Sequence, residues 1–417
     1  MIIKILPSEI CGTLHAPASK SMMQRAIAAA FLSEKKVQID GYTPSADVDT
    51  VLKLVQNLGT TIHKEGSSLI ISPNPNPKTS HLNIGESGLG IRLFSPILAL
   101  FDQKFTLEAV GSLRKRPIHL IEKVLMAIEV DCKTDDGFAP IHIQGPLQGG
   151  QISFDAGEGS QLLSGMLMAL PKLKEDSELL VSNLKSKPYI DMTINLLNDF
   201  GIQIENQNYT QFKIVGNQKY NADNYVVEGD WSGATFLLVA AAINGSIQLE
   251  NLRKDSLQGD KKIVDILKEV GAFIQLDENQ IFVQKRKLNS FIFDATETPD
   301  LFPPLAVLAT ACQGISRIKG VHRLIHKESN RAEAIRTIFE ELGLKIDFVE
   351  DEMIIEGRQA SGGIVSSYND HRMAMMAAVL ALTSRQPIEI QEAESVEKSY
   401  PHFFKDLQSV GVQVNIQ

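Results

Sequence analysis

Cysteine is scarce in this 417-residue sequence: Cys11, Cys132 and Cys312 are the only three, and none belongs to a CxxC pair. Cysteines spaced so far apart indicate reduced structural thiols in a reducing compartment. Long apolar runs are also missing. Residues 1–12 contain no stretch suited to a secretory signal, and the most apolar run, 236–243, is far shorter than the ~20 residues that a membrane span needs. We therefore expect a cytoplasmic protein that does not enter a membrane.

The sequence also has no excess of basic residues. Lysine and arginine total 41 against 50 aspartates and glutamates, which gives a net charge of −9. Such a balance excludes a general nucleic-acid binder, which needs a basic footprint on the phosphate backbone. It still permits an anionic small-molecule substrate, because a few converging cations create a local positive field. The chain is longer than one hydrophobic core usually supports, so we expect two domains.

An internal repeat organises the sequence. A small or polar turn opens into an apolar helical run six times, at residues 19, 85, 159, 229, 298 and 369, so successive starts are 66 to 74 residues apart. Helices that are apolar on every side must be buried all round. Short β-branched segments such as 69–72, 151–154, 246–249 and 353–356 lie between the runs and suit strands.

Six repeats over two domains predict three mixed α/β modules in each domain, every module enclosing one buried helix. The polar, turn-rich stretch 217–225 is the best candidate for a boundary between the domains. The alternative is that the six runs are unrelated core helices, and their even spacing argues against it.

The segment Ser19–Arg25 (SKSMMQR) opens the first apolar run. Ser19 or Ser21 can cap the helix and leave its free N–H groups and the positive end of its dipole to an anion. Ser21 and Arg25 are four residues apart and share a helix face, with Lys20 at the mouth. A lone helical cation is usually a solvated surface charge, but Arg25 directly precedes AIAAAFL, which should be buried.

The segment Gly85–Arg92 (GESGLGIR) opens the second run. Glycines let a backbone approach a phosphate closely, and Arg92 can fork onto phosphate oxygens. The segment lacks the GK[ST] ending of a P-loop and the acidic residue of a dinucleotide fingerprint. The alternative is a tight turn with a structural arginine.

Further polar motifs occur along the chain, some of them beside other repeat helices. Each has a structural alternative such as a solvated loop, a helix cap, a turn or a surface ion-pair ladder. On a helix, Lys327, Glu328 and Arg331 would point one way. A metal site at His371 is discounted, because no second His or Cys stands at ligand spacing. These motifs are Arg114–Pro117 (RKRP), Gly159–Gln161 (GSQ), Ser186–Asp191 (SKPYID), His326–Arg331 (HKESNR) and Tyr368–Met373 (YNDHRM), with Asp300 and Lys398 as single residues.

The common position of these groups matters more than any one of them. Cationic and hydrogen-bonding residues recur at the starts of the repeat helices, and stacked modules would bring those starts to one face of each domain. Two such faces would form a cleft suited to a ligand with more than one phosphate or carboxylate.

These motifs resemble, over essentially the whole chain and in the same order, the EPSP synthase family of enolpyruvyl transferases. SKPYID at 186–191 and NDHRMAM at 369–375 are its most specific signatures. The resemblance implies an α/β (α+β) two-domain enolpyruvyl transferase fold, an inside-out α/β barrel in which each domain has three βαβαββ units around buried helices. One domain would comprise 1–18 plus 228–417 and the other 19–227, with the active site in the cleft between them.

The resemblance also implies an activity: the enolpyruvyl group of phosphoenolpyruvate passes to the 5-hydroxyl of shikimate 3-phosphate, without metal or cofactor, in a monomer. Asp300, Glu328 and Lys20 would be catalytic, with Asp370 and His371 in support. Shikimate 3-phosphate would be bound by Lys20, Ser21, Arg25, Ser160, Gln161, Ser186, Tyr189, Asp300 and Lys327. Phosphoenolpyruvate would be bound by Lys20, Gly88, Arg92, Arg116, Gln161, Arg331, Arg372 and Lys398.

The sequence departs from the family pattern at four positions: Glu86 for Asn, Leu89 for Thr, Gly159 for Ser and Asn330 for Asp. An extra carboxylate at Glu86 should weaken anion binding unless it points away or is paired. The altered loop also predicts changed sensitivity to glyphosate, an analogue that competes for this site.

Two alternatives remain. The sister enzyme that acts on UDP-N-acetylglucosamine typically has a cysteine where this chain reads GSLRKRP at 111–117. A catalytically inactive anion-binding relative would need the cations but not both acids, Asp300 and Glu328.

Overall fold

The computed structural model describes residues 1–416. The chain divides into two compact units. Unit I comprises Met1–Pro17 and the residues from Glu228 onward, and unit II comprises Ala18–Val227. The chain therefore passes from one unit to the other at 17–18 and returns at 227–228, just after the polar stretch 217–225.

Strands and helices alternate along the chain. The strands are β1 (Ile2–Ile5), β2 (Ile10–His15), β3 (Val37–Asp40), β4 (Thr61–Glu65), β5 (Ser68–Ser72), β6 (His81–Asn83), β7 (Lys104–Glu108), β8 (Asp131–Asp135), β9 (Phe138–Gln144), β10 (Gly150–Asp155), β11 (Ser177–Ser182), β12 (Ile204–Gln207), β13 (Gln211–Ile214), β14 (Asn224–Val226), β15 (Gly245–Glu250), β16 (Phe273–Leu276), β17 (Gln280–Gln284), β18 (Ile292–Asp294), β19 (Ile315–Lys319), β20 (Ile346–Val349), β21 (Glu352–Glu356), β22 (Gly363–Ser366), β23 (Ile388–Gln391) and β24 (Val414–Ile416). The α-helices are α1 (Lys20–Leu32), α2 (Ala46–Asn57), α3 (Gly88–Leu98), α4 (His119–Met126), α5 (Gln161–Ala169), α6 (Pro188–Asp199), α7 (Trp231–Asn244), α8 (Ile263–Glu269), α9 (Phe302–Ala311), α10 (Arg331–Glu341), α11 (His371–Ala381) and α12 (Phe403–Ser409).

The strands form six four-stranded sheets with one shared topology. In each sheet an edge strand runs parallel to its neighbour, and two antiparallel strands follow, as in β6-β7-β9-β8 and β18-β19-β21-β20. A parallel pair needs a crossover connection. In these two sheets α3 and α9 supply it. The mixed α/β module predicted from the repeat is confirmed, and so is the βαβαββ order that the family resemblance implies.

Three modules take a strand from elsewhere in the chain. β14 pairs with β3 to complete the first sheet of unit II. In unit I, β2 pairs with β15, and β1 lies between β23 and β24. The residues before the first repeat helix therefore belong to the sheets of unit I.

The six apolar runs are the buried helices α1, α3 and α5 of unit II and α7, α9 and α11 of unit I, as the repeat predicts. Their side chains dominate two separate hydrophobic cores, one in each unit. Polar residues mark the helix starts: the side chains of Ser19, Ser87, Asp230 and Asp370 accept hydrogen bonds from backbone N–H groups of the first turn. Within residues 1–416 none of the helices has the length and apolarity required to span a lipid bilayer.

Candidate active site

The residues that the sequence singles out are divided between the two units, and each group is described within its own unit. Unit II contains Lys20, Ser21, Arg25, Gly88, Arg92, Arg116, Ser160, Gln161, Ser186 and Tyr189. Unit I contains Asp300, Lys327, Glu328, Arg331, Asp370, His371, Arg372 and Lys398.

Arg25 is the most deeply buried cation of unit II, with 1% of its surface exposed. Its guanidinium donates to Thr193 Oγ1 (2.8 Å), to the Ser21 carbonyl (3.0 Å), to Ser164 Oγ (3.4 Å) and to the Tyr189 carbonyl (3.5 Å). Within residues 1–416 these partners are all neutral. Burial lowers the pKa of Arg25 to about 10, and Tyr189 and Tyr225 offset only part of that effect. A buried cation among neutral oxygens is suited to an anionic ligand.

Lys20 begins α1, and its Nζ lies 2.8 Å from Asp47 Oδ2 in α2. Both side chains are largely buried, with exposed fractions of 17% and 10%. The Asp47 carboxylate therefore holds the ammonium of the residue that begins the buried helix. This arrangement can present a cation to a ligand while its charge stays compensated.

The turn before α3 and the loop 111–117 lie against each other, and arginine side chains occupy the region where they meet. Arg92 donates to the Gly88 carbonyl (3.0 Å) and to the Pro117 carbonyl (2.9 Å), so its guanidinium bridges the turn and the loop. A β-carbon added at Gly88 would lie 2.4 Å from Arg116 Nη1, so the Arg116 guanidinium packs directly against the Gly88 backbone and would have to shift if a side chain were added there. The structure thus brings three predicted phosphoenolpyruvate residues together.

Glu86, the acidic departure in the Gly-rich turn, is paired. Its Oε2 accepts from the Ser112 backbone N–H (2.8 Å) and from the Ser112 hydroxyl (2.6 Å). The loop 111–117 therefore holds the extra carboxylate through hydrogen bonds, and its effect on anion binding stays a prediction. The other departure, Leu89, is a buried residue of the unit II core.

Ser160, Gln161 and Ser186 stand at the starts of α5 and α6. Ser160 is the N-cap residue of α5 and is 3% exposed, but its side chain does not accept a capping hydrogen bond, and Gln161 is the first residue of the helix. Ser186 has a φ of 61° and is 6% exposed, just before α6. The hydrogen bonds of Arg25 described above do not include the side chains of these three residues. Ser21 and Tyr189 do take part in them, through their backbone carbonyls.

Arg331 joins the acidic residues of unit I. Its side chain is 1% exposed and donates to Asp300 (2.8 Å), Glu328 (2.7 Å) and Asp370 (2.8 Å). Burial lowers the pKa of the Arg331 guanidinium, but Asp370, Glu328 and Asp300 outweigh burial and raise it above its ordinary value. One guanidinium therefore holds both predicted acid–base residues in fixed positions.

Asp300 precedes α9 in a short 3₁₀ turn, Pro299–Leu301. Besides Arg331, its carboxylate accepts from Arg372 Nη2 (2.9 Å), and Lys327 Nζ lies 3.8 Å away. Burial raises the pKa of Asp300, but Arg372, Lys327 and Arg331 outweigh it and hold that pKa well below its usual range. Asp300 is therefore ionised at neutral pH and can accept a proton. The alternative of a helix cap is wrong, because its side chain makes these cationic contacts instead.

Lys327 is a largely buried lysine with a lowered pKa. Burial, the largest effect, lowers its pKa to about 8, Asp300 counteracts this and Arg331 adds to it. Below about pH 8 such a lysine is protonated and can bind an anion; above that pH it loses its proton and its positive charge.

Asp370 fixes the start of α11. It accepts from the Arg372 backbone N–H (3.0 Å) and, besides Arg331, from the Ser329 hydroxyl (3.1 Å). Burial raises its pKa, but Arg331 outweighs burial and the pKa falls below its ordinary value. His371 Nδ1 lies 3.7 Å from Asp370 Oδ1. In the same segment, Lys398 Nζ donates to the Asn369 carbonyl (2.6 Å).

The helical geometry considered for residues 326–331 is wrong. Residues 326–329 form turns and bends, and α10 begins only at Arg331. Asn330 is the N-cap, and its side chain accepts from Glu333 N, which requires a non-helical backbone at that residue. Glu328 and Arg331 still meet, because the turn returns the carboxylate to the helix start.

Several residues around the site were not singled out by their sequence. Asp47, Ser164 and Thr193 lie in ordinary amphipathic or apolar stretches, and only tertiary packing brings them to Lys20 and Arg25. Asp260 is 1% exposed and accepts from the Ser232 hydroxyl. Burial and the charge of Asp300 raise its pKa to about 6, whereas Arg372 opposes them. An aspartate within a charged GDKK segment gives no signal of this burial.

Metal binding finds no support in the described residues: within 1–416 no group of three or more His, Cys, Asp or Glu side chains is arranged to hold a metal ion. The charged side chains described above are suited to binding anions and to moving protons. Unit II offers Arg25, Arg92, Arg116 and Lys20, and unit I offers two carboxylates with their cations.

Comparison with known proteins gives a consistent result. Residues 6–407 match the family model described as EPSP synthase (3-phosphoshikimate 1-carboxyvinyltransferase). The chain is 36% identical over 422 residues to a 3-phosphoshikimate 1-carboxyvinyltransferase of Clostridium novyi, with 98% of this chain and 97% of that protein covered. It is 37% identical over 413 residues to one of Clostridium perfringens, with the same coverage, 98% and 97%.

Solved structures agree. An EPSP synthase from Acinetobacter baumannii has a TM-score of 0.83 and 25% identity, and the match covers 100% of both chains. The enolpyruvyl transferase NikO from Streptomyces tendae, at 15% identity and a TM-score of 0.80, covers 99% of this chain and 98% of its own, and shares the fold.

Proposed function

Because the chain belongs to the EPSP synthase (3-phosphoshikimate 1-carboxyvinyltransferase) family, we propose that it transfers the enolpyruvyl group of phosphoenolpyruvate to the 5-hydroxyl of shikimate 3-phosphate. The products would be 5-enolpyruvylshikimate 3-phosphate and inorganic phosphate, and the reaction would serve the shikimate pathway to chorismate and the aromatic amino acids.

The observation that carries the proposal is the convergence of two carboxylates, Asp300 and Glu328, on the buried guanidinium of Arg331. An enol ether carbon is a poor electrophile until its methylene is protonated. The reaction therefore needs one group that gives a proton to C3 of phosphoenolpyruvate and one that takes a proton from the attacking hydroxyl. Two differently held carboxyl groups beside cations meet that requirement.

We assign Asp300 to the 5-hydroxyl. Its low pKa keeps it ionised, which suits a group that accepts a proton as the oxygen attacks C2. Asp300 has three cationic neighbours, Arg331, Arg372 and Lys327, at 2.8, 2.9 and 3.8 Å, so its carboxylate stays oriented while a substrate binds.

We assign Glu328 to the methylene carbon. Glu328 contacts Arg331 at 2.7 Å, and an anionic group of the substrate that binds Arg331 would compete with it for the guanidinium. Losing that contact raises the proton affinity of Glu328, which would then protonate C3. As the tetrahedral intermediate loses phosphate, a methyl proton returns to the Glu328 carboxylate, and Asp300 gives the proton it took from the 5-hydroxyl to the departing phosphate, so protons and charge balance.

Cationic residues would bind the anionic groups of both substrates and stabilise the departing phosphate. We propose that Arg25, with Lys20, Ser21, Ser160, Gln161, Ser186, Tyr189 and Lys327, binds shikimate 3-phosphate. For phosphoenolpyruvate we propose Lys20, Gly88, Arg92, Arg116, Gln161, Arg331, Arg372 and Lys398, with Asp370 and His371 in support. The mechanism assigns no step to a metal or a nucleotide.

Phosphate release from phosphoenolpyruvate tests this function, with shikimate 3-phosphate or UDP-N-acetylglucosamine as the acceptor. Release with shikimate 3-phosphate alone, lost in Glu328→Gln, is expected. Release with the nucleotide sugar would identify the sister activity, and no release with either acceptor from folded protein would identify an inactive anion-binding relative.

Three expectations from the sequence stay predictions. Cell fractionation tests the cytoplasmic location, and light scattering coupled to size-exclusion chromatography tests the monomer. Inhibition constants for glyphosate in Leu89→Thr and Glu86→Asn test whether the altered loop changes sensitivity.

A further inference from the structure

Glu86 is the residue that departs most in charge from the pattern of the Gly-rich turn, and the mechanism above gives it no role. We propose that Glu86 is a positioning residue: it fixes the loop 111–117 so that the Arg116 guanidinium lies over Gly88, where phosphoenolpyruvate binds. This inference rests on the proposed function, because it takes Arg116 as a ligand of phosphoenolpyruvate.

Both hydrogen bonds from Ser112 end on one oxygen, Glu86 Oε2, at 2.8 Å from the amide and 2.6 Å from the hydroxyl. A carboxylate that accepts two such bonds holds both the backbone and the side chain of the loop residue. Gly111 enables this approach. Its φ is 54°, and a β-carbon there would lie 2.3 Å from the Glu86 carboxyl carbon. The start of the loop is therefore built around Glu86.

The other end of the loop is held from the same turn and helix. Arg92 Nη2 donates to the Pro117 carbonyl at 2.9 Å. Arg116 lies between the two attachments, is 8% exposed, and its guanidinium packs directly against Gly88. Glu86 and Arg92 thus act as two clamps on one loop, and the guanidinium between them gains a fixed position.

The charge of Glu86 gives the opposite expectation to its hydrogen bonds. If the carboxylate acted only as a negative charge near an anion site, its removal would tighten the binding of phosphoenolpyruvate. If it acts by holding Ser112, its removal frees the loop and weakens that binding, because Arg116 must then be ordered when the substrate binds. The two mechanisms differ in the sign of one measurement.

Steady-state phosphate release by the full-length enzyme gives that measurement. In Glu86→Ala we expect the KM for phosphoenolpyruvate to rise about tenfold, and in Ser112→Ala about threefold, since the serine amide can still donate. Glu86→Gln should stay within about threefold of wild type, because its amide oxygen accepts the same bonds. The KM for shikimate 3-phosphate should change less than about twofold in all three variants.

The double variant identifies coupling. Glu86→Ala with Ser112→Ala should be no worse than Glu86→Ala alone, because both changes remove one contact. Glu175→Gln, an exposed carboxylate of unit II, is the matched control and should leave both constants unchanged. A lowered or unchanged KM for phosphoenolpyruvate in Glu86→Ala, or single effects that multiply in the double variant, would overturn the proposal.

Hydrogen exchange separates a failure of this inference from a failure of the function. The Ser112 amide should exchange faster in Glu86→Ala than in wild type, whatever reaction the enzyme catalyses. If the wild-type enzyme released no phosphate, the proposed function would be wrong. Calorimetric titration would then measure the affinity of the same variants for phosphoenolpyruvate. Equal exchange, or equal affinity, in wild type and Glu86→Ala would contradict the inference.

Discussion

Replacing Arg25 with methionine should stabilise the ligand-free protein while it abolishes the binding of shikimate 3-phosphate. Arg25 is 1% exposed, and its partners within residues 1–416 are neutral oxygens. Burial lowers its pKa from 12.5 to about 10. At 1.36 kcal/mol for each pKa unit, burying this charge costs about 3 kcal/mol.

Lost hydrogen bonds offset part of that gain. The two short bonds, to Thr193 (2.8 Å) and to the Ser21 carbonyl (3.0 Å), contribute about 1 kcal/mol each. Their partners keep other bonds: the Thr193 hydroxyl still donates to the Tyr189 carbonyl at 2.8 Å, and Ser164 Oγ lies 2.9 Å from Thr193 Oγ1. The net gain is about 1 kcal/mol, which raises Tm by about 2–4 °C for a unit of this size.

Thermal unfolding with and without shikimate 3-phosphate is the assay. At a hundredfold excess over Kd the ligand stabilises wild type by about 2.7 kcal/mol, so wild type should then melt above the variant. Arg114→Met, which removes an exposed arginine of the same unit, is the control and should move neither midpoint. A lower Tm for Arg25→Met without ligand would refute the reasoning, because it would mean that the protein itself compensates the buried charge.

Three further predictions concern unit I. Asp300→Asn should lower kcat about 10²–10⁴-fold. Because the pKa of Asp300 is held low in the wild type, its protonation should cause no loss of activity down to about pH 4 in a pH–rate profile. Lys327 loses its charge as pH rises through its pKa of about 8, so the KM of the wild type for shikimate 3-phosphate should rise above that pH. In Lys327→Arg this KM should stay level. A parallel rise of KM in the wild type and in Lys327→Arg would contradict the prediction. Arg331→Met leaves Asp370 and its neighbours without their buried cation and should lower the free energy of unfolding by about 3–5 kcal/mol in a denaturant titration. Arg336→Met, which breaks an exposed pair at 3.3 Å, should cost under about 1 kcal/mol, and equal costs would show that Arg331 is not the centre of the network.

Much of the fold follows from local pattern. The six apolar runs predicted the buried helices because a helix that is apolar all round has no stable place except a core. The short segments at 69–72 and 353–356 predicted strands β5 and β21, because short runs rich in β-branched residues favour strands. Their even spacing predicted the repeated module, and the motifs at the helix starts predicted which side chains carry chemistry.

Local pattern failed where backbone geometry depends on a cap. Lys327 and Glu328 are good helix formers, yet Asn330 caps α10, so the helix starts only at Arg331 and Glu328 reaches Arg331 from a turn. The significance of Glu86 was equally hidden. Its spacing from Ser112 reveals nothing, and only the packing of the loop against the turn shows that the carboxylate is paired.

The sequence by itself determined the family and the module and singled out the candidate reactive groups, because periodicity and motif residues are properties of the chain alone. The tertiary structure decided the state of those groups. Asp300 is ionised because Arg331 and Arg372 come from segments 31 and 72 residues away. The hydrogen-bond partners of Arg25 within residues 1–416 are neutral oxygens brought to it by packing. Charge and pKa depend on distance and burial, and only the folded chain sets both.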